Sequence, residues 1–193
     1  MPCYHPLHVF KGKSDDPFKT KIVFKRSESW RAERMDLPCG QCIGCRLERA
    51  RQWSIRCVHE SQMYEKNCFV TLTYSPEKLP LSGSLDVREF QLFMKRLRKS
   101  ASEKIRFFHC GEYGVVCRNC GNSEPLCKCG LWVPSIGRPH YHALLFGFDF
   151  DDKEVYCKKD GYQTYTSSTL SKLWGKGHSL VGDLSFESAG YVS

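Results

Sequence analysis

His140 and His142 are separated by one residue in the stretch PHYHALLFGF at 139–148. In an extended chain, side chains alternate between faces, so both imidazoles fall on one side with Leu144, while Tyr141, Ala143 and Leu145 fall on the other. Two imidazoles converging in this way can ligate one divalent ion, and a nearby carboxylate widens the choice toward Mn²⁺ or Mg²⁺. Packing and simple hydrogen bonding are the competing use, because His-x-His is common by chance. Glu112, in GEYG at 111–114, is the expected third ligand. It follows a strand candidate at 105–110 that should neighbour the histidine strand. Its blander uses are capping a turn or pairing with an arginine.

Twelve cysteines add a second kind of chemistry. Cys39, Cys42 and Cys45 form C-x2-C-x2-C, three thiolates that need a fourth ligand for a tetrahedral zinc site. Cys3 is the first choice for that ligand, followed by His5, His8 and Cys57. An iron–sulfur cluster and a metal-free arrangement are the alternatives. Cys117, Cys120, Cys127 and Cys129 form C-x2-C-x6-C-x-C, with Gly121 and Gly130 permitting tight turns. This pattern reads as a zinc knuckle or ribbon stapling a long connection; buried apolar thiols and accidental oxidation pairs are the alternatives.

Local patterns indicate the elements that must position these groups. Residues 1–38 read as irregular and polar, punctuated by prolines, with a short strand at 20–25. Residues 46–65 lack Gly and Pro and carry a rough helical stripe of Leu47, Ala50, Trp53 or Ser54, Cys57 and Met63 or Tyr64. CFVTLTY at 68–74 reads as a strand. Asp86 with Glu89 starts a helix whose apolar face is Val87, Phe90, Phe93 or Met94, and Leu97. Strands follow at 105–110 and 139–148, a short helix at 166–174 stopped by Gly175, and a last strand at 180–186. A further helix opens at Ser188. Tyr113 is expected in a turn, and Tyr162 and Tyr165 near a loop. The fold class expected is α+β, a two-layer domain with a central antiparallel sheet and helices on one side, plus the Cys-rich zinc-binding elements.

Composition narrows the function classes. Of 193 residues, 41% are hydrophobic, which excludes a disordered chain. No window is apolar for the roughly 18 residues that a membrane span needs, so no membrane partner is expected. The N-terminal decapeptide lacks a secretory pattern, and the cytosol is the expected compartment. A formal net charge of +8 suits a polyanionic partner without identifying one. Arg46, Arg49, Lys95, Arg96, Arg98, Lys99 and Arg138 are the expected DNA-binding residues, the run at 95–99 being equally readable as a solvated face.

Six segments in order then carry a resemblance: PCGQCIGCR at 38–46, FVTLTY at 69–74, FQLFMKRLRK at 90–99, GEYG at 111–114, GRPHYHALLFG at 137–147 and AGYVS at 189–193. The chain resembles the replication initiators of small single-stranded DNA phages of the microvirus group, the gokushovirus branch in particular. These are HUH endonucleases, named for His, a bulky hydrophobic residue, and His. The resemblance implies an HUH endonuclease-like domain over 1–193, with an N-terminal Cys-containing extension at 1–45 and an inserted knuckle or ribbon at 115–136. It implies an enzyme that nicks one strand of the viral replicative form at the origin through a 5′-phosphotyrosine and later rejoins the displaced strand.

On this resemblance Tyr191 is the nucleophile, and His140 and His142 hold the catalytic Mn²⁺ or Mg²⁺; Zn²⁺ in the cysteine sites is expected from their spacing alone. The partners implied are single-stranded and replicative-form viral DNA and the host helicase and polymerase, in the cytoplasm of the bacterial host. Relatives continue beyond AGYVS with a lysine and a second tyrosine, so the resemblance implies a C-terminally truncated chain in which the helix carrying Tyr191 frays and the hydroxyl sits far from the metal pair. The alternative function is a non-catalytic zinc-dependent nucleic-acid binding protein.

Overall fold

A computed structural model describes residues 2–16, 18–19, 21–122, 128–130, 134–159 and 161–193. The chain divides into two units, residues 1–52 and 53–193. Helix α1, Ile43–Ser61, runs through the division.

The first unit contains a three-stranded antiparallel sheet, where the sequence suggested irregular structure. Strands β1 (Leu7–Gly12), β2 (Lys21–Val23) and β3 (Ser29–Leu37) are ordered β2-β1-β3. β2 corresponds to the short strand expected at 20–25. Charged residues interrupt the apolar alternation of β1 and β3, so their sequences do not mark them as strands. Val9 and Val23 are its buried apolar side chains among the described residues.

The second unit is built on a six-stranded sheet in the order β5-β6-β4-β9-β8-β7, antiparallel at every pairing described. Its strands are β4 (Asn67–Thr73), β5 (Arg106–Cys117), β6 (Pro134–Phe146), β7 (Lys153–Lys159), β8 (Tyr162–Ser167) and β9 (Ser179–Gly182). Helices α2 (Val87–Ser100), α3 (Ser168–Trp174) and α4 (Phe186–Val192) complete it. No helix is long and apolar enough to cross a membrane among the described residues.

Alternation along β4 and β6 sorts the core into two faces. Val70 and Leu72 with Tyr141, Ala143 and Leu145 meet Phe90, Phe93, Met94 and Leu97 of α2 and Leu170 and Trp174 of α3. Phe69, Leu144 and Phe146 meet Cys57 of α1 and Ala189 and Val192 of α4 on the opposite face. Helices therefore cover both faces, and the expectation of two layers with helices on one side is corrected. The short C-terminal helix supplies the difference: its two buried residues are enough to seal a patch but too few to advertise an amphipathic face.

Several local expectations also change. Val87 is exposed, and the buried face of α2 is Phe90, Phe93, Met94 and Leu97. Leu47 and Met63 are exposed; Ser54 and Cys57 form the buried side of α1. GEYG lies inside β5, so Tyr113 is a strand residue rather than a turn residue. Tyr162 and Tyr165 lie in β8, in a hairpin with β7. That hairpin is mostly exposed and carries no hydrophobic stripe; the Asp160-Gly161 pair was its sequence signal.

Two contacts fix the helices to the histidine strand. The Tyr141 hydroxyl accepts the Asp86 backbone N–H at 2.8 Å and donates to the Asp86 carbonyl at 2.7 Å. Asp86 in turn caps α2 by accepting from Arg88 N–H. Trp174 donates its indole N–H to the Thr73 carbonyl at 3.0 Å. Gly175 ends α3 at φ 63°, a left-handed cap that disfavours any side chain.

Candidate metal and nucleophile site

β6 lies between β4 and β5, and its register sets the site. His140 is opposite Glu112 on β5 and Thr73 on β4; His142 is opposite Cys110 and Thr71. All of these residues point to the face that α4 covers. Glu112 Oε1 lies 2.9 Å from His140 Nε2 and 3.2 Å from His142 Nε2. One potential ligand atom from each of the three residues lies within 4.8 Å of the others. Glu112 is half-buried, His140 more so, and His142 is buried.

The remaining ring nitrogens are also engaged. His140 Nδ1 is 3.2 Å from the Arg138 carbonyl, and His142 Nδ1 is 3.0 Å from Thr71 Oγ1. His140 Nε2 hydrogen-bonds to Glu112; a proton on each Nδ1 would free both Nε2 lone pairs for a metal ion, the arrangement a ligand needs. Phe69 stacks on the His142 ring at 5.4 Å between centroids, nearly parallel. Burial pushes the His142 pKa down to about 4, although Glu112 opposes this. The imidazole is thus neutral near pH 7, which is its ligating form. Two imidazole nitrogens and one carboxylate oxygen form a donor set that fits Mn²⁺, Mg²⁺ or Zn²⁺.

Tyr191 reaches the same carboxylate. Its hydroxyl donates to Glu112 Oε1 at 2.5 Å, and its ring meets His142 edge-on at 4.9 Å between centroids. The fraying expected for this helix is not seen. Ser185 and Ser188 form a reciprocal capping box at the start of α4, while Ala189 and Val192 are buried. Tyr191 itself remains 57% exposed, leaving the ring open to a large substrate. Burial, then the hydrogen bond and charge of Glu112, raise the tyrosine pKa above its usual value. For Glu112, burial favours the neutral acid but is outweighed by hydrogen bonds from Tyr191 and His140, so its pKa is lowered.

The other residues singled out by sequence fall in several places. Arg138 lies two residues before His140, beside a bulge in the β5–β6 ladder, and one guanidinium N–H reaches the Tyr74 carbonyl at 3.4 Å. Lys95, Arg96, Arg98 and Lys99 belong to α2, on the far side of the sheet from the histidines. Arg96 donates to the Leu173 and Trp174 carbonyls, and Arg98 to the Ile105 carbonyl. Those two side chains serve helix ends and loops, a use that the basic run does not reveal. Arg46 and Arg49 lie in the first unit, where Arg49 donates to the Gly40 carbonyl.

Cys3, Cys39, Cys42 and Cys45 form one sulfur cluster, as do Cys117, Cys120 and Cys129; Cys127 lies outside the described residues. The second cluster sits at the outer end of the β5–β6 ladder, which closes with Cys117 opposite Pro134. Thr71, Phe69 and Cys110 were not singled out from sequence. Alternation in FVTLTY puts Phe69 and Thr71 on one face, but only the β4–β6 register brings them to His142.

Residues 67–119 match the family model described as Replication-associated protein ORF2/G2P. The chain is 35% identical over its whole length to Replication-associated protein VP4 of Bdellovibrio phage phiMH2K, covering 56% of that protein. It is 30% identical over its whole length to Replication-associated protein ORF2 of Spiroplasma virus 4, covering 59% of it. Identity is 28% over 81% of the chain with Replication-associated protein ORF4 of Chlamydia phage 1, of which 37% is covered. The chain thus spans little more than half the length of the first two relatives. No solved structure gives a significant match. On these comparisons the chain is a homologue of the replication-associated proteins of microviruses.

Proposed function

We propose that this chain is the catalytic part of a phage replication initiator, an HUH-type endonuclease that nicks one strand of the replicative-form DNA at the origin and rejoins the displaced strand. The observation that carries the reading is the convergence of Tyr191, His140 and His142 on one oxygen of Glu112. A nucleophile candidate and a metal-ligand set within hydrogen-bond reach of each other suit transesterification at a phosphodiester. Homology to replication-associated phage proteins supports a role in viral replication.

His140, His142 and Glu112 would hold Mn²⁺ or Mg²⁺. When bound, such an ion supplies charge stabilisation at the scissile phosphate. In the chemistry proposed, Tyr191 Oη bonds to phosphorus and the bond from phosphorus to the 3′ oxygen breaks. The departing oxygen takes a proton and becomes the 3′ hydroxyl that primes synthesis by the host polymerase. Tyrosine retains the 5′ phosphate in an ester of similar energy, so the reverse attack by a 3′ hydroxyl reseals the strand without ATP.

Glu112 has two oxygens, so ligation through one leaves the other to accept the Tyr191 hydroxyl. Burial and a neighbouring carboxylate both penalise tyrosinate, and a positive charge at the triad offsets both by Coulomb attraction. Arg138, two residues from His140, would meet the DNA backbone near the triad; the α2 cations pack on the other face of the sheet and would contribute less.

Supercoiled replicative-form DNA incubated with the protein and Mn²⁺ tests this reading. Conversion to the nicked form is expected, with loss under EDTA and in the His140→Ala/His142→Ala double variant. Tight binding without cleavage, unaffected by the double variant, would favour the non-catalytic nucleic-acid binding protein instead.

A further inference from the structure

We infer that Cys3, Cys39, Cys42 and Cys45 hold one structural zinc ion that locks the first residues of the chain to the start of α1. This inference is independent of the nicking chemistry. All four sulfurs lie within 4.8 Å of one another. Four thiolates on a zinc ion, with Zn–S bonds of about 2.3 Å and tetrahedral angles, sit about 3.8 Å apart. Cys3 and Cys42 Sγ are 3.8 Å apart, the separation of two sulfurs that share an ion rather than a covalent bond. None of the four is in a disulfide.

The backbone around the sulfurs is arranged to receive negative charge. The Cys39 N–H donates to Cys3 Sγ at 3.3 Å, Cys42 N–H to Cys39 Sγ at 3.3 Å, and Cys45 N–H to Cys42 Sγ at 3.5 Å. Tyr4 N–H adds a second donor to Cys42 Sγ at 3.4 Å. Amide donors aimed at sulfur stabilise thiolates, the form that binds metal. Gly44 admits the N-terminal segment: a Cβ there would lie 2.3 Å from the Pro2 carbonyl oxygen. Cys3 can thus approach the helix start only because position 44 has no side chain.

The same geometry separates zinc from the iron–sulfur alternative. A cubane interposes its irons and sulfides between the thiolates and spreads them farther apart than this cluster allows. A single tetrahedral ion fits. The ion also has a structural task. It joins the segment before β1, the segment after β3 and the first turn of α1. A three-stranded sheet with short strands gains stability from such a metal staple.

The test uses the full chain carrying Cys117→Ser and Cys129→Ser, so that the other cysteine cluster does not contribute. Elemental analysis should show one thiolate-bound zinc per chain, lost in the further variant Cys39→Ser/Cys42→Ser. Cobalt exchange supplies a readout that misfolding does not mimic: the thiolate-to-cobalt charge-transfer band should appear, and fall by about a quarter in Cys3→Ser as one of four thiolates is removed. Unchanged zinc content after Cys39→Ser/Cys42→Ser, an iron chromophore in the purified protein, or a charge-transfer band unaffected by Cys3→Ser would each overturn the assignment.

Discussion

Thr71 stands directly across the β4–β6 ladder from His142, and its hydroxyl lies 3.0 Å from His142 Nδ1. The strand that precedes the histidines by some seventy residues thereby sets the orientation of the buried ring, and with it the direction of the Nε2 lone pair.

Thr71→Val keeps the shape and the β-branching while deleting the hydroxyl. The fold should persist, and Mn²⁺ affinity should fall by about 10- to 100-fold, the usual cost of removing a partner behind a metal-bound histidine. Calorimetric titration with Mn²⁺ measures this directly. Equal affinities in the two proteins would show that Thr71 does not orient a ligand.

Tyr141 faces away from the histidines and ties β6 to the start of α2 through both backbone groups of Asp86. Tyr141→Phe removes both bonds from a buried position, so a loss of about 1–3 kcal/mol is expected. Urea unfolding should report it, with Mn²⁺ affinity nearly unchanged. An unshifted midpoint would mean that the Tyr141 hydroxyl does not anchor α2.

Asp152 accepts from Ser167 and Ser168 hydroxyls and from Thr169 N–H at the start of α3. Burial opposes its ionisation, but these donors outweigh it and the pKa lies below the ordinary 3.8. A depressed carboxylate contributes stability that is fully present above its unfolded value and lost as pH falls through its folded value. Asp152→Asn should therefore melt below the parent protein at pH 6–7, and the gap should begin to narrow below about pH 4 and go on shrinking as the pH falls further. A gap that is constant down to pH 2 would contradict an ionic origin.

The parts of the fold legible in sequence are those governed by local periodicity. Alternation in CFVTLTY and PHYHALLFGF identified β4 and β6, and Asp86 announced the cap of α2. The convergence of His140 and His142 with Glu112 was readable as a possibility, because GEYG and PHYH flank one connection. Its geometry was not, since register between strands is a long-range property. The β7–β8 hairpin and the strands of the first unit carry charged and polar residues among their apolar ones, and so show no hydrophobic pattern. The position of Tyr191 depended on whether a seven-residue helix holds without further turns. Ser185, Ser188 and two buried residues supply that hold, a tertiary effect that propensity does not convey.

The central proposal is that Tyr191 attacks a phosphodiester held over the His140–His142–Glu112 site. The most direct measurement is the site of covalent attachment. The protein is incubated with Mn²⁺ and single-stranded fragments tiling the phage genome, digested with protease, and analysed by mass spectrometry for nucleotide-bearing peptides. A single adduct on the peptide containing Tyr191, absent in Tyr191→Phe and without Mn²⁺, is the result expected. Cleaved DNA joined to another residue, or cleavage that persists undiminished in Tyr191→Phe, would contradict it.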